Sequence, residues 1–251
     1  MNMKLNGNTI FITGGGSGIG RALAEAFHKR GNQVIISGRR TGHLDATIKA
    51  NPGMVAIELD ITNPHSIATV AKHLIEEHPK LNVLINNAGI MQLDNAANAI
   101  DDNLIIETVT TNLMGPIRMT SALIDHLKNQ QDSTIINVSS ALGFIPLAMA
   151  AVYSSTKAAM HSYTQSLRYT LKDSWVSVLE IAPPWVQTDL LNSHNEPRAM
   201  PLKQFIEETM RVLETDSEEI LIEQAKILRN NVGSAEGEFI TEFNNTMGQG
   251  H

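Results

Sequence analysis

Tyr153 and Lys157 stand four residues apart in Ala151-Val-Tyr153-Ser-Ser-Thr-Lys157, so on a helix they project from one face, one turn apart. A phenol beside an ammonium suits proton donation to a carbonyl oxygen, because the cation favours the phenolate left behind. Two serines, Ser139 and Ser140, follow the apolar run Ile135-Ile136-Asn137-Val138, which reads as a buried strand. Ligands of open α/β sheets bind outside the carboxyl ends of strands, so a strand-end serine and a helix-borne Tyr and Lys can converge there. The plain alternative is an amphipathic core tyrosine and a solvated lysine. For the pair alone that alternative leads, and the rest of the chain reverses the order.

Asn8–Thr13 reads as a buried strand and Arg21–Arg30 as a helix ending at Gly31, with Gly14-Gly15-Gly16-Ser17-Gly18-Ile19-Gly20 between them. Such a strand, glycine turn and helix let backbone amides approach a pyrophosphate where the helix dipole favours anions. Gly14, Ser17, Gly18, Ile19 and Gly20 are therefore candidate cofactor-binding residues, against the alternative of a turn that only packs the helix closely. The spacing is Gly-x-x-x-Gly-x-Gly rather than Gly-x-Gly-x-x-Gly. A second strand, Gln33–Ser37, ends in Gly38-Arg39-Arg40, where an acidic residue would bind a ribose 2′-hydroxyl. Two arginines there suit a 2′-phosphate, which favours NADP(H), with NAD(H) possible; the alternative is two solvated loop arginines.

Met54–Leu59 is a third strand, followed by Asp60 and Ile61. Asp60 can cap the next helix or accept from an adenine amino group. Val83–Ile85 is a fourth strand, running into Asn86-Asn87-Ala88-Gly89, whose small residues would let backbone pass under an adenine ring. A long helical region from about 101 to 127 carries Asn112 near its middle, an unfavourable helix residue that signals a kink, a surface position or a task. Val176–Ile181 is the sixth strand, ending in Ala182-Pro183-Pro184-Trp185-Val186-Gln187-Thr188. Strands alternating with helices predict an α/β, Rossmann-like, doubly wound parallel sheet of six or seven strands with helices on both faces. Residues 1–251 read as a single dinucleotide-binding catalytic domain. A substrate lid is placed at 189–213, with its polar loop at 192–200, and a helical tail follows: helices are expected over 201–213 and 217–230, and fraying over 244–251.

The 251 residues, 42% of them hydrophobic, can bury a full core. A formal charge of −7 argues against nucleic acid or an anionic membrane as partner. The absence of cysteine excludes disulfides, thiolate nucleophiles and cysteine-ligated metals. No apolar leader or membrane-length run is present, and a cytoplasmic location is expected. None of the nine histidines falls in a zincin pattern, and His73 and His78 have no evident third ligand, so no metal site is expected.

Together these motifs resemble the short-chain dehydrogenase/reductase family over residues 8 to about 190. Thr13-Gly14-x-x-x-Gly18-x-Gly20 matches its cofactor turn, Asn86-Asn-Ala-Gly89 its stabilising motif, and Tyr153-x-x-x-Lys157 its catalytic pair. Ser140 stands at the family's spacing before Tyr153, and Asn112 in Thr111-Asn-Leu-Met-Gly115 matches the fourth catalytic member. The chain is most similar to a bacterial branch that includes an oxidoreductase encoded beside the teichoic-acid D-alanylation genes. The resemblance implies that Ser140 and Tyr153 bind the substrate oxygen and Tyr153 passes the proton. It implies further that Lys157 binds nicotinamide-ribose hydroxyls, that Asn112 holds a relay water, and that Pro183, Val186 and Thr188 hold the nicotinamide side. Two departures stand out. Pro183-Pro184 replaces the family's Pro-Gly, and the chain lacks the usual terminal Thr-Gly and Val-Asp-Gly-Gly strand.

The expected activity is an NADP-dependent carbonyl reductase or secondary alcohol dehydrogenase acting on a small carbonyl or alcohol within a homodimer or homotetramer. The alternatives are an NAD-preferring dehydrogenase, a nucleotide-binding redox sensor, and an epimerase or dehydratase. Leu142, Phe144, Met149, Trp185 and Met91 suggest an apolar ligand.

Overall fold

The computed structural model describes residues 3–248. Its first half comprises β1 (Thr9–Thr13), α1 (Gly18–His28), β2 (Gln33–Gly38), α2 (Thr41–Ala50), β3 (Val55–Glu58), α3 (Pro64–Glu77) and β4 (Leu81–Asn86). Then come α4 (Asp102–Val109), α5 (Gly115–Lys128), β5 (Ser133–Val138), α6 (Ala151–Thr170) and β6 (Val176–Ile181). The chain closes with α7 (Leu202–Val212), β7 (Glu219–Ile220), α8 (Glu223–Arg229) and α9 (Glu236–Gly248).

The strands form one parallel sheet in the order β3-β2-β1-β4-β5-β6-β7. The strand order runs outward in opposite directions from β1 and β4, and this switch point opens a crevice at the carboxyl ends of those two parallel strands. Alternation within the strands feeds a core on each face. Ile10, Ile12, Val34 and Ile36 pack with Leu23 and Phe27 of α1 and Phe205 of α7. Phe11, Ile35 and Leu84 pack on the other face with Leu74 of α3 and Leu123 of α5. This is the Rossmann-like doubly wound sheet expected, with seven strands.

Three segments differ from expectation. The helical region 101–127 is broken into α4 and α5 by a π-helical turn at Thr110–Met114, and Asn112 sits buried inside it. The helix expected over 217–230 gives way at its start to β7. Ile220, Leu221 and Ile222 are all buried, and pairing Glu219–Ile220 with β6 buries them where a continued helix would not. The tail is helical through Gly248 rather than frayed from Asn244, because α9 packs on the body; residues 249–251 lie outside the described residues.

Candidate active site

The glycine turn is built for close backbone approach. Gly14 has φ +69°, and a Cβ there would meet Ala88 Cα at 2.9 Å; a Cβ on Gly20 would meet Asn87 Nδ2 and the Gly14 carbonyl at 2.3 Å. The ends of β1 and β4 are tied together here. Thr13 Oγ1 accepts from the Asn87 and Ala88 amides at 3.0 and 3.1 Å, and Asn87 Nδ2 donates back to the Thr13 and Gly14 carbonyls at 3.0 and 3.2 Å. The crevice above, about 920 Å³, is lined by Gly14, Ser17, Gly18, Ile19 and Gly20 on this side. Thr188 faces Gly18 across it, 3.6 Å from a Cβ placed on that glycine. Pro183 and Val186 complete that edge.

At the tip of β2 the two arginines are exposed and separate in role. Arg40 donates to Ser17 Oγ at 2.8 Å and lies 4.0 Å from Asp189. Asp189 is held below the usual carboxylate range, chiefly by its bond to His194, with Ser17 and Arg40 adding to it. Arg39 lines the crevice and has no side-chain partner among the described residues. Leu59 and Ile61 also line the crevice, whereas Asp60 turns one carboxylate oxygen to the Thr62 amide and hydroxyl at 3.0 and 2.7 Å. The side chain that caps α3 is Asn63, accepting from His65 and Ser66, not Asp60.

At the other end of the crevice, α6 turns Tyr153 and Lys157 inward, and both are buried. Burial pushes the Tyr153 phenol up to about 12, opposed by its hydrogen bond with Ser140. Burial lowers the Lys157 ammonium to about 8, opposed by the nearby Glu180 carboxylate. Lys157 Nζ donates to the Val138 carbonyl at 3.0 Å. A Cβ on Gly89 would lie 3.4 Å from Asn112 Oδ1 and 3.6 Å from Lys157 Nζ, so the bare glycine keeps the space between them open.

Asn112 braces the loop after β4. Its Oδ1 accepts from the Ile90 amide at 2.8 Å, and its Nδ2 donates to the Ile90 carbonyl at 2.8 Å and to Thr156 Oγ1 at 3.3 Å. Both amide protons are thereby committed, so a relay water would have to meet an oxygen of this residue rather than its NH₂ group.

The adjacent serines point apart. Ser140 accepts from the Leu142 amide at 3.1 Å and shares a bond with Tyr153. Ser139 donates instead to Glu180, whose other oxygen is 2.7 Å from His161 Nδ1. Glu180 is fully buried in β6. A carboxylate inside the apolar run Val176–Ile181 was a sequence signal for it, and His161 stands one turn beyond Lys157 on α6.

His161, Glu180 and Glu219 come close enough together to suggest a cation site. Arg229, however, donates to both Glu219 oxygens at 2.8 and 3.2 Å and supplies the positive charge there.

Two further groups escaped sequence reading. Asp94 accepts from the Ala151 and Val152 amides at 3.1 and 2.9 Å, placing a carboxylate on the N-terminus of the helix that carries Tyr153. Phe243 and Met247 of α9 also line the crevice. Neither has a local signature, since each contact joins distant parts of the chain.

Residues 8–199 match a family model described as short chain dehydrogenase. The oxidoreductase DltE of Bacillus subtilis (strain 168), designated uncharacterized, is 32% identical over 234 residues, covering 91% of this chain and 93% of its own. An NADP-dependent 3-hydroxy acid dehydrogenase of Schizosaccharomyces pombe is 30% identical over 192 residues, 74% of each chain. A short chain dehydrogenase from Burkholderia cenocepacia, solved in complex with NADP, is 25% identical with a TM-score of 0.84, covering 96% of this chain and 98% of its own.

Proposed function

Because the chain belongs to the short-chain dehydrogenase family, we propose that this oxidoreductase is an NADP-dependent carbonyl reductase or secondary alcohol dehydrogenase with Tyr153 as its acid and base. The observation that carries the reading is the convergence of Ser140, Tyr153 and Lys157 at one end of a crevice whose other end is a glycine turn edged by arginine. The crevice fits a nicotinamide dinucleotide: Gly18 leaves room beneath Thr188, and Gly89 leaves room beside Lys157. In this reading Gly14, Ser17, Gly18, Ile19 and Gly20 hold the pyrophosphate, and Arg39 and Arg40 the 2′-phosphate. Ile61, Asn87, Ala88 and Gly89 line the adenine and ribose path, Asp60 borders it, and Pro183, Val186 and Thr188 hold the carboxamide side. When bound, the cofactor supplies or accepts the hydride.

The chain's own residues handle the proton. Ser140 and Tyr153 hydrogen-bond the substrate oxygen, and Tyr153 Oη releases its proton to that oxygen during reduction. A phenol held near 12 stays protonated at neutral pH and is a poor acid unless its anion is stabilised. Lys157 in its charged form provides that stabilisation. Asn112 keeps the loop after β4 in place against α6.

A substrate lid fits residues 189–200 better than 189–213. Phe205, Ile206 and Met210 of α7 are buried in the core, whereas Leu191 and Asn192 hold left-handed φ values of 55° and 51° in an exposed turn. Homo-oligomer contacts would use α4 and α6, where Ile106 and Tyr169 are 55% and 71% exposed. No helix among the described residues is long and apolar enough to cross a membrane, and a cytoplasmic location completes the proposal. Asp189 draws on Arg40 and is the feature that favours an NAD-preferring enzyme. The test is NADPH consumption with a panel of ketones and aldehydes, repeated with NADH and with Tyr153→Phe. Turnover by wild type that vanishes in the variant is expected. No turnover of any carbonyl with either cofactor would leave the redox-sensor reading in its place.

A further inference from the structure

The apolar cluster above Tyr153 is completed from the far end of the chain. Leu147, Ala150 and Tyr153 are buried in it, and Met91, Leu142, Met149, Phe243 and Met247 pack against it. Phe243 and Met247 lie four residues apart on α9 and face the crevice, and Phe239 stacks on Phe243 with ring centroids 6.5 Å apart. Asn244 fastens this helix in place. Its Oδ1 accepts from the Ala148 amide at 2.6 Å and its Nδ2 donates to the Pro146 carbonyl at 3.1 Å, on the segment just before the Tyr153 helix.

We propose that α9 is the outer wall of the substrate pocket, with Phe243 and Met247 as specificity-determining residues that select an uncharged carbonyl compound carrying an apolar chain. The inference rests on the reading of the crevice as a carbonyl-reducing site. Ser140 and Tyr153 provide the polar grip on one oxygen, and the residues around them on the α9 side are aliphatic, aromatic or thioether. Of the cations that line the crevice, Lys157 is assigned to the nicotinamide ribose, Arg39 and Arg40 stand at the tip of β2, and Arg198 is already engaged. Its Nε and Nη2 donate to Glu196 at 2.8 and 3.1 Å, and its guanidinium lies 5.0 Å from the Trp185 ring. A substrate carboxylate would therefore enter an apolar wall without a free counter-charge, at a desolvation cost that a neutral chain does not bear.

The test compares 2-butanone, 2-hexanone and 2-octanone with 3-oxooctanoate, in wild type, Phe243→Ala and Met247→Ala. One measurement is kcat/KM with NADPH, and a second is ligand Kd by calorimetry on the apoenzyme, which needs no turnover. In wild type, each added methylene should improve both by roughly 3- to 4-fold, and 2-octanone should outbind 3-oxooctanoate. Phe243→Ala should weaken 2-octanone by about 10-fold and leave 2-butanone and NADPH binding nearly unchanged. Both residues are half-buried on a surface helix, and the single Met247→Ala change reports the same wall if the Phe243 variant folds poorly. Binding that depends on α9 without turnover would uphold this wall and overturn the proposed activity. Turnover whose chain-length dependence is the same in all three proteins, or a preference for the oxo acid, would overturn the wall.

Discussion

Lys157 Nζ lies 5.5 Å from the centroid of the Tyr153 ring, one turn further along the same helix and equally buried. Burial drives the two groups in opposite directions, the phenol up to about 12 and the ammonium down to about 8. If the proposed mechanism holds, carbonyl reduction should therefore decline as pH rises through about 8, where Lys157 loses the charge assigned to stabilising the tyrosinate. A kcat/KM profile flat to pH 10 would remove Lys157 from that role. Stability carries the same signature. Between about pH 8 and 10.5 the unfolded chain holds the lysine proton and the folded chain does not, so this group makes stability rise with pH. Between 10 and about 12 the folded chain alone holds the phenol proton, so Tyr153 makes stability fall. Thermal melts of the apoenzyme across those two windows check both signs.

Removing the phenol hydroxyl isolates the proton step. Tyr153→Phe should fold and bind cofactor as wild type does, with kcat lower by at least about 100-fold, the scale of general-acid catalysis. Lys157→Ala should weaken both turnover and cofactor affinity, because the proposed mechanism assigns both tasks to one ammonium. A loss confined to kcat would mean that the lysine does not touch the ribose.

Cofactor choice turns on the tip of β2. Gly38 places no carboxylate against a 2′-phosphate, and Arg39 is the cation not already shared with Ser17 and Asp189. On the proposed reading, one or two charge-assisted bonds should favour NADPH over NADH by roughly 10- to 100-fold in kcat/KM. Gly38→Asp combined with Arg39→Ala should reverse the preference. Equal or better kcat/KM with NADH in the wild type would refute the assignment.

Glu180 acts on the site through Lys157. Its carboxylate raises the lysine pKa against burial, so Glu180→Gln should lower that pKa further and move the alkaline decline in rate to lower pH. The glutamine keeps the shape of the side chain between Ser139 and His161, so a mere packing role would leave the pH profile in place. An unshifted alkaline limb would assign Glu180 to structure alone.

Asp94 supplies the N-terminal cap of the helix that carries Tyr153, from a loop 57 residues upstream. Asp94→Ala should cost about 0.5–2 kcal/mol in unfolding free energy. Denaturant titration measures it, and a change under a few tenths would mean that water replaces the carboxylate.

Local chemistry made much of this protein legible in one dimension. Alternating apolar strands, the glycine turn from Gly14 to Gly20 and the four-residue spacing of Tyr153 and Lys157 each depend on neighbours within a turn or a strand, and such periodicities survive in the bare sequence. Tertiary structure decided the remainder. Ser139 and Ser140 are chemically identical, and only the approach of β6 turns one to Glu180, 41 residues away, and leaves the other beside Tyr153. The break at Asn112 is a π-helical turn fixed by Ile90, and β7 exists because the edge of β6 is there to pair with it. The Asn244 clasp joins residues 96 apart, and a phenylalanine on an amphipathic tail helix is compatible with many burial partners until the fold presents one. Such contacts arise from which surfaces the folded chain brings together, and no spacing along the sequence encodes that.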